Sequence, residues 1–381
     1  MHVFRFTLVG YALLLVVLAC DEGTSTSPSV RGAAVVRTAR AKKGVWINRE
    51  ELAALPISGR AWENLKSVAD QPSGRPKLRD QDDQVNVRVM AKALVHARTG
   101  EARYRDEVIA HCMDAIGTEN GGSCLGLGRN LAGFVIAADL VELPRDKDQR
   151  FREWLREKLT ALHEGRSLRS THESRPNNWG TQAGGSRAAI ARYLGDAREL
   201  TRAATVFKGW LGDRVAYSGF KFGDLWWQQD GARPVGVNPK GASREGHTID
   251  GVLPDDQRRC GRFQWPAPKE NYVYEALQGA LLQAVILHRA GYDVWDWEDK
   301  ALLRAFKWLH EEAKFPAEGD DTWQPHVINR FYGTAFPAPV PARPGKNVGW
   351  TDWTLGTEKA GTRKAERRAE VREARSQSGA P

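Results

Sequence analysis

The residues able to do chemistry in this chain gather where loops run into helix-like segments. They are Arg129 with Asn130, Asn177 with Asn178, His247, Arg258 with Arg259, Tyr272 and Tyr274, and Arg330 with Tyr332. No Ser–His–Asp signature, phosphate-cradling glycine loop, Cys-x-x-Cys pair or His-Glu-x-x-His run accompanies them, so the sequence signals no metal centre. Glu173, Glu245, Asp250 and Asp255 leave two-carboxylate glycoside hydrolysis open, but isolated carboxylates in loops are common. Amide, imidazole, guanidinium and phenol together suit another reaction: β-elimination from a uronic acid. The proton on C5 lies alpha to a carboxylate and is only weakly acidic. Amide and guanidinium donors on that carboxylate stabilise the charge that builds up as the proton leaves. A histidine or an ionised tyrosine removes the proton, and a tyrosine can protonate the departing O4. The mechanism requires no metal or organic cofactor.

Helices must position these groups. Apolar residues recur at three- and four-residue spacing in "VNVRVMAKALVHARTG", "ARYRDEVIAHCMDAIG", "NLAGFVIAADLVEL", "RFREWLREKLTALHEG", "TQAGGSRAAIARYLGD", "ARELTRAATVFKGWLGD", "YEALQGALLQAVILHRAG" and "EDKALLRAFKWLHEEAKF". Glycines such as Gly100, Gly117, Gly165 and Gly195 follow them as stop signals. No run of alternating strands is evident, and no fixed period marks a short-repeat solenoid. Helical hairpins of this kind bury their faces against one another as a bundle, a superhelix or a closed ring. Two irregular segments, 212–272 and 323–356, break the pattern, and long ordered loops often carry function. Asn177 and Asn178 stand directly before a helix, where either can serve as its cap. Tyr272 and Tyr274, two residues apart, face different sides of the next one. Tyr272, nearer the helix mouth, is the better placed for an open groove.

Of the 381 residues, 41% are hydrophobic and 27% charged, the balance of a soluble globular protein. The formal charge is +9, part of it in the tail "EKAGTRKAERRAEVREARSQSGAP", which reads as a solvated helix or a disordered end. A basic body suits an anionic partner. The 14 tryptophans serve either the core or flat sugar-stacking faces. The paired Trp226 and Trp227 read as packing. "MHVFRFTLVGYALLLVVLAC" has the short apolar core of a signal peptide, and "VLAC" resembles a bacterial lipobox that would lipidate Cys20. Residues 1–20 are therefore expected to be a lipoprotein-type signal, 21–44 a flexible tether, 45–356 the folded domain and 357–381 a charged tail. This predicts an exported protein, periplasmic or at the cell surface, touching membrane only through that lipid. Cys112 and Cys124 flank a glycine-rich loop and could pair in an oxidising compartment; Cys260 is left over and reads as structural.

The stretches "VMAKALVHARTGEARYRDEV", "LGRNLAGFVIAADLV", "RPNNWG", "DGVLPDDQRR", "NYVYEALQGALLQAVILHRAGYD" and "NVGWTDWT" together resemble the alginate lyase superfamily of helical-toroid polysaccharide lyases. The resemblance implies an all-α fold, an incomplete (α/α) toroid. It also implies a lyase acting on an acidic polysaccharide, alginate or a related polyuronate, and not on nucleic acid. By the same resemblance, Asn178 is the amide that neutralises the substrate carboxylate, and His247 the neutralising or base histidine. Tyr272 or Tyr274 is the acid and base, and Arg259 is the arginine beside the carboxylate. Arg129, Asn177, Trp179, Arg330 and Tyr332 would bind substrate along the groove. Better-known members carry a histidine directly after the paired asparagines, where this chain has Trp179. A histidine must then come from elsewhere, and the 243–251 loop is expected to bring His247 to Asn178.

Overall fold

The computed structural model describes Val35, Arg37 and residues 41–356. The expected signal peptide, Cys20, most of the tether and the charged tail lie outside the described residues.

A short α1 (Arg49–Ala53) precedes α2 (Arg60–Asp70). Then come α3 (Val85–Thr99), α4 (Ala102–Ala115), α5 (Cys124–Val141), α6 (Arg145–Lys158), α7 (Leu168–Ser174), α8 (Asn178–Leu194) and α9 (Ala197–Leu211). The irregular segment follows, with a two-residue hairpin, β1 (Ser243–Arg244) and β2 (His247–Thr248), and the single turn α10 (Pro254–Gln257). The chain resumes with α11 (Asn271–Arg289), α12 (Trp297–Lys307), α13 (Gln324–Tyr332) and α14 (Thr351–Thr354).

Neighbouring long helices pack in the order α3, α5, α8, α11, forming an inner layer. Helices α2, α4, α6, α7, α9 and α12 pack around them, mostly as the return arms of hairpins. The inner helices bring their N-terminal turns to one mouth: Asn86, at the start of α3, donates to Arg129 O early in α5, and Arg129 ion-pairs with Glu275 early in α11. Helix α5 is apolar on nearly every side because neighbours surround it, whereas outer α6 and α9 present one apolar face. Short α13 and α14 complete the circuit, with α14 packed on α2 and the rings of Trp62 and Trp353 5.3 Å apart. The Trp350 indole N–H donates to Val87 O at 3.1 Å, tying the last described segment to α3. This is the expected helical toroid, incomplete where the short helices stand in for full ones.

Two details differ from expectation. Helix α6 ends at Lys158, seven residues before Gly165, because the N–H groups of Thr160 and Ala161 turn back to Glu157 O. Cys112 and Cys124 are both buried free thiols. The Cys112 Sγ lies against Phe134 O in mid-α5, while Cys124 begins that helix. Ten residues of α-helix rise about 15 Å, far beyond the reach of a disulfide. Burial pushes the Cys124 thiol up to about 11, and the Cys112 thiol higher still, so neither is a reactive thiolate.

Candidate active site at the shared mouth of the inner helices

Helix α8 starts abruptly. Asn177 is its N-cap, its Oδ1 accepting from Trp179 N–H at 3.3 Å. Gly180 is required here because a Cβ would sit 1.9 Å from Arg175 O. The chain can therefore fold back tightly on the first turn and bury Asn178 completely. On the other side, a Cβ at Gly279 would sit 2.3 Å from the Thr181 backbone, so α8 and α11 approach closely just inside the mouth.

Two hydrogen bonds tie Asn178 to the irregular segment. Its N–H donates to Asp256 Oδ1 at 3.1 Å. Its Oδ1 accepts from Arg259 Nη2 at 3.3 Å. A guanidinium can only donate, so this contact assigns the amide: the oxygen faces Arg259 and the Nδ2 is a buried donor with no partner. The Arg259 guanidinium also lies over the Tyr272 ring, 3.8 Å from its centroid. Tyr272 is 41% exposed, and its N–H is capped by Glu270 Oε1 at 3.1 Å, which fixes the start of α11.

One turn further along α11, on the same face as Tyr272, Glu275 ion-pairs with the buried Arg129 of α5 and, at 3.0 Å, with Lys346 Nζ. Lys346 also reaches Asp82 at 3.2 Å. Burial pushes Arg129 below its usual range, and Asp82, Asp320 and Tyr272 oppose that push while Arg259 adds to it. Its Nε has no partner. Beneath this group Asn347 donates to Gln182, and Gln182 donates to Glu275 O. On the outer side the Arg175 guanidinium lies 5.7 Å over the half-buried Trp179 ring, and the charges of Arg166, Arg258 and Arg259 bear on it.

The mouth therefore brings together Asn178, Arg259 and Tyr272, with Arg129 and Trp179 beside them. Other expected residues lie elsewhere. Asn177 is committed to its capping bond. Tyr274, on the opposite face of α11, is fully buried, donates to Phe315 O at 2.7 Å and packs edge-on against Phe306 and Phe315. Its burial raises the phenol well above the usual range. Tyr332 donates to Trp295 O at 2.8 Å, in the loop after the far end of α11, about 27 Å along the helix from Tyr272. Arg330, two residues earlier on α13, is exposed. His247 stacks on Trp265 at 4.5 Å and 11°. Among the described residues no hydrogen bond or ion pair joins it to Asn178, Arg259 or Tyr272. The irregular segment is anchored by the buried Asn238, whose amide donates to Trp227 O and Ile249 O, and this carries the hairpin toward Trp265 and Trp308.

Three of the four carboxylates that would serve a hydrolase are tied up separately: Glu173 with Arg187 and Arg202, Asp250 with Arg304, and Asp255 with Arg258; Glu245 is exposed in the turn between β1 and β2. A cavity of about 300 Å3 between α2, α13 and α14, lined by Arg60, His326, Asn329 and Asp352, contains none of the mouth residues. Sequence reading missed Asp256, Glu275, Lys346 and Asp82. Glu275 was findable from its three-residue spacing to Tyr272. Asp256 had no such signal, since nothing in "LPDDQRR" separates it from Asp255.

Residues 88–221 match the alginate lyase family model. Over that span the chain is similar to the alginate lyase family. The match runs from α3 through α9 and includes Arg129, Asn177, Asn178 and Trp179; Arg259 and Tyr272 lie beyond it. No curated protein matches the chain. The similarity agrees with the helical toroid.

Proposed function

We propose that this protein is a polysaccharide lyase that cleaves a uronate polymer, alginate or a related polyuronate, by β-elimination at the mouth of the inner helices. The observation that carries the reading is the position of Arg259, whose one guanidinium touches both the buried amide of Asn178 and the exposed ring of Tyr272. The substrate carboxylate would be received by Asn178 Nδ2 and Arg259, with Arg129 deeper in the same field. Tyr272, as the phenolate, takes the proton from C5. The C5–H electron pair becomes the C4=C5 double bond, the C4–O4 bond breaks, and O4 leaves with the proton that Tyr272 returns. Negative charge on Tyr272 then faces the cation already stacked on its ring. Among the described residues His247 is stacked on Trp265 and joined to none of Asn178, Arg259 and Tyr272, so both proton transfers are assigned to the tyrosine. Trp179, Arg175 and Arg166 line the approach with one aromatic face and positive charge, as an anionic chain requires.

The test is direct. Purified protein is incubated with polymannuronate, polyguluronate, glucuronan and a glycosaminoglycan, and the ultraviolet absorbance of the new C4=C5 bond is followed. Activity on one of them that disappears in Tyr272→Phe supports the reading. New reducing ends without that absorbance would mean hydrolysis, and binding without either would mean a glycan-binding protein. We also propose export with lipidation at Cys20. A Cys20→Ser variant that still incorporates labelled fatty acid would disprove it.

A further inference from the structure

Asp255 and Asp256 are consecutive and both buried, yet they face different things. Asp255 accepts from Arg258 Nε at 3.0 Å and from Gly223 N–H at 2.9 Å. Among the described residues no lysine or arginine is ion-paired to Asp256. Its Oδ1 accepts the Asn178 N–H, while its Oδ2 is buried without a partner. A fully buried carboxylate with no counter-ion is costly, and such a group takes up a proton instead. Burial pushes Asp256 well above the usual carboxylate range; the Asn178 N–H opposes this, the charge of Asp255 adds to it, Arg259 opposes and Glu270 adds. With Oδ1 accepting, the proton belongs on Oδ2. Two buried donors without protein acceptors, Asp256 Oδ2–H and Asn178 Nδ2, then sit on one hydrogen-bonded pair beside Arg259.

We propose that Asp256 is a positioning residue of this site that works only as the neutral acid: through Oδ1 it fixes the first turn of α8, and by staying uncharged it leaves the carboxylate received by Asn178 and Arg259 unopposed. This rests on the lyase reading for the identity of the carboxylate. Were Asp256 ionised, a negative charge would stand one residue's contact away from the incoming uronate and would compete for Arg259.

The experiment compares wild type with Asp256→Asn and Asp256→Ala. In wild type, kcat/KM on the uronate polymer should fall as rising pH ionises Asp256. Asp256→Asn keeps an oxygen acceptor and an uncharged donor, so it should lack that limb and stay within about threefold of wild type at the low-pH end. Asp256→Ala should lose at least tenfold in kcat/KM, about 1.4 kcal/mol, measured on the folded fraction. An identical pH limb in Asp256→Asn would overturn the proposal. So would an Asp256→Asn loss as large as that of Asp256→Ala. The same pH comparison is made for calorimetric binding of a saturated uronate tetrasaccharide, which needs no turnover. If no polymer yields unsaturated ends but this binding still weakens with pH in wild type and not in Asp256→Asn, the lyase reading fails and the present one stands. If the tetrasaccharide does not bind, both fail. Should Asp256→Asn not fold, carbon NMR of the Asp256 carboxyl decides: protonated at neutral pH supports the proposal, ionised overturns it.

Discussion

The two mouths of the inner-helix layer carry similar residue types and use them differently. At the N-terminal mouth, polar groups are brought together and left partly free: Asn178 Nδ2, Asp256 Oδ2 and Arg129 Nε have no partner, and Tyr272 is open to solvent. At the far mouth most of the corresponding groups are bound within the protein, and the one buried donor left over, the Trp295 indole N–H, lies among packed rings rather than beside other free polar groups. Tyr332 donates to Trp295 O and lies edge-on to the Trp295 ring. Arg289 pairs with Glu51 at 2.7 Å and reaches Lys43 O. Phe331 stacks on Trp295 at 4.1 Å. Buried polar groups are ordinarily satisfied, so a cluster of unsatisfied ones beside an exposed tyrosine marks a place where a ligand is the missing partner. Residue type alone does not separate a site from a well-packed helix end; the unused hydrogen-bonding capacity does.

The largest expected effects fall on activity at the first mouth. Asn178→Ala and Tyr272→Phe should each reduce kcat by 100-fold or more, about 2.7 kcal/mol of transition-state stabilisation. Tyr332→Phe, the same chemical change at the other mouth, should leave kcat within twofold. A loss in Tyr332→Phe comparable to that in Tyr272→Phe would put the chemistry at the wrong end of α11.

The next effect is on stability, under the floor of the first mouth. Asp321 is buried and accepts from Gln278 and Gln324 at 2.8 and 2.7 Å, and burial raises it to about 7. The folded state thus favours its neutral form. Its contribution is complete below the ordinary value of 3.8 and is lost as pH rises through about 7. Asp321→Asn keeps the accepting oxygen and removes the charge. It should therefore match wild type near pH 4 and exceed it above pH 7 by about 2–4 kcal/mol. Denaturant melts at the two pH values check this, and an equal difference at both would refute the assignment.

How far the sequence revealed this arrangement depends on the kind of interaction. Helix ends were readable because caps and stops are local: Gly100 and Gly195 close α3 and α8 in the left-handed conformation that favours glycine. The split between Tyr272 and Tyr274 was readable from helical geometry. Asn178 and Arg259 stood out by type. Three things were not readable. The distance between Cys112 and Cys124 depends on how α4 lies along α5. The partner of His247 depends on the path of an irregular loop. The difference between Asp255 and Asp256 depends on which of two adjacent side chains turns toward Arg258. Each is set by packing between elements distant in the chain, and no local pattern encodes it.

Tyr274→Phe comes next in size. It removes one buried hydrogen bond, to Phe315 O, and leaves that carbonyl without this donor, a cost of about 1 kcal/mol in stability with kcat unchanged. The pair Tyr272→Phe and Tyr274→Phe should then separate cleanly, one in rate and the other in melting temperature.

Arg330→Ala should do least. Arg330 is exposed on α13 and makes no hydrogen bond or ion pair among the described residues. An exposed substitution of that kind shifts stability by about 0.5 kcal/mol or less. Being free does not make it part of the site: at the first mouth the uncommitted groups are buried and adjacent, whereas Arg330 stands alone in solvent, where a single charge attracts an anionic chain weakly and salt screens it. Its removal should raise KM for the polymer by less than twofold at physiological salt. A tenfold rise in KM would show that the polymer spans both ends of α11 and would extend the binding surface to the far mouth.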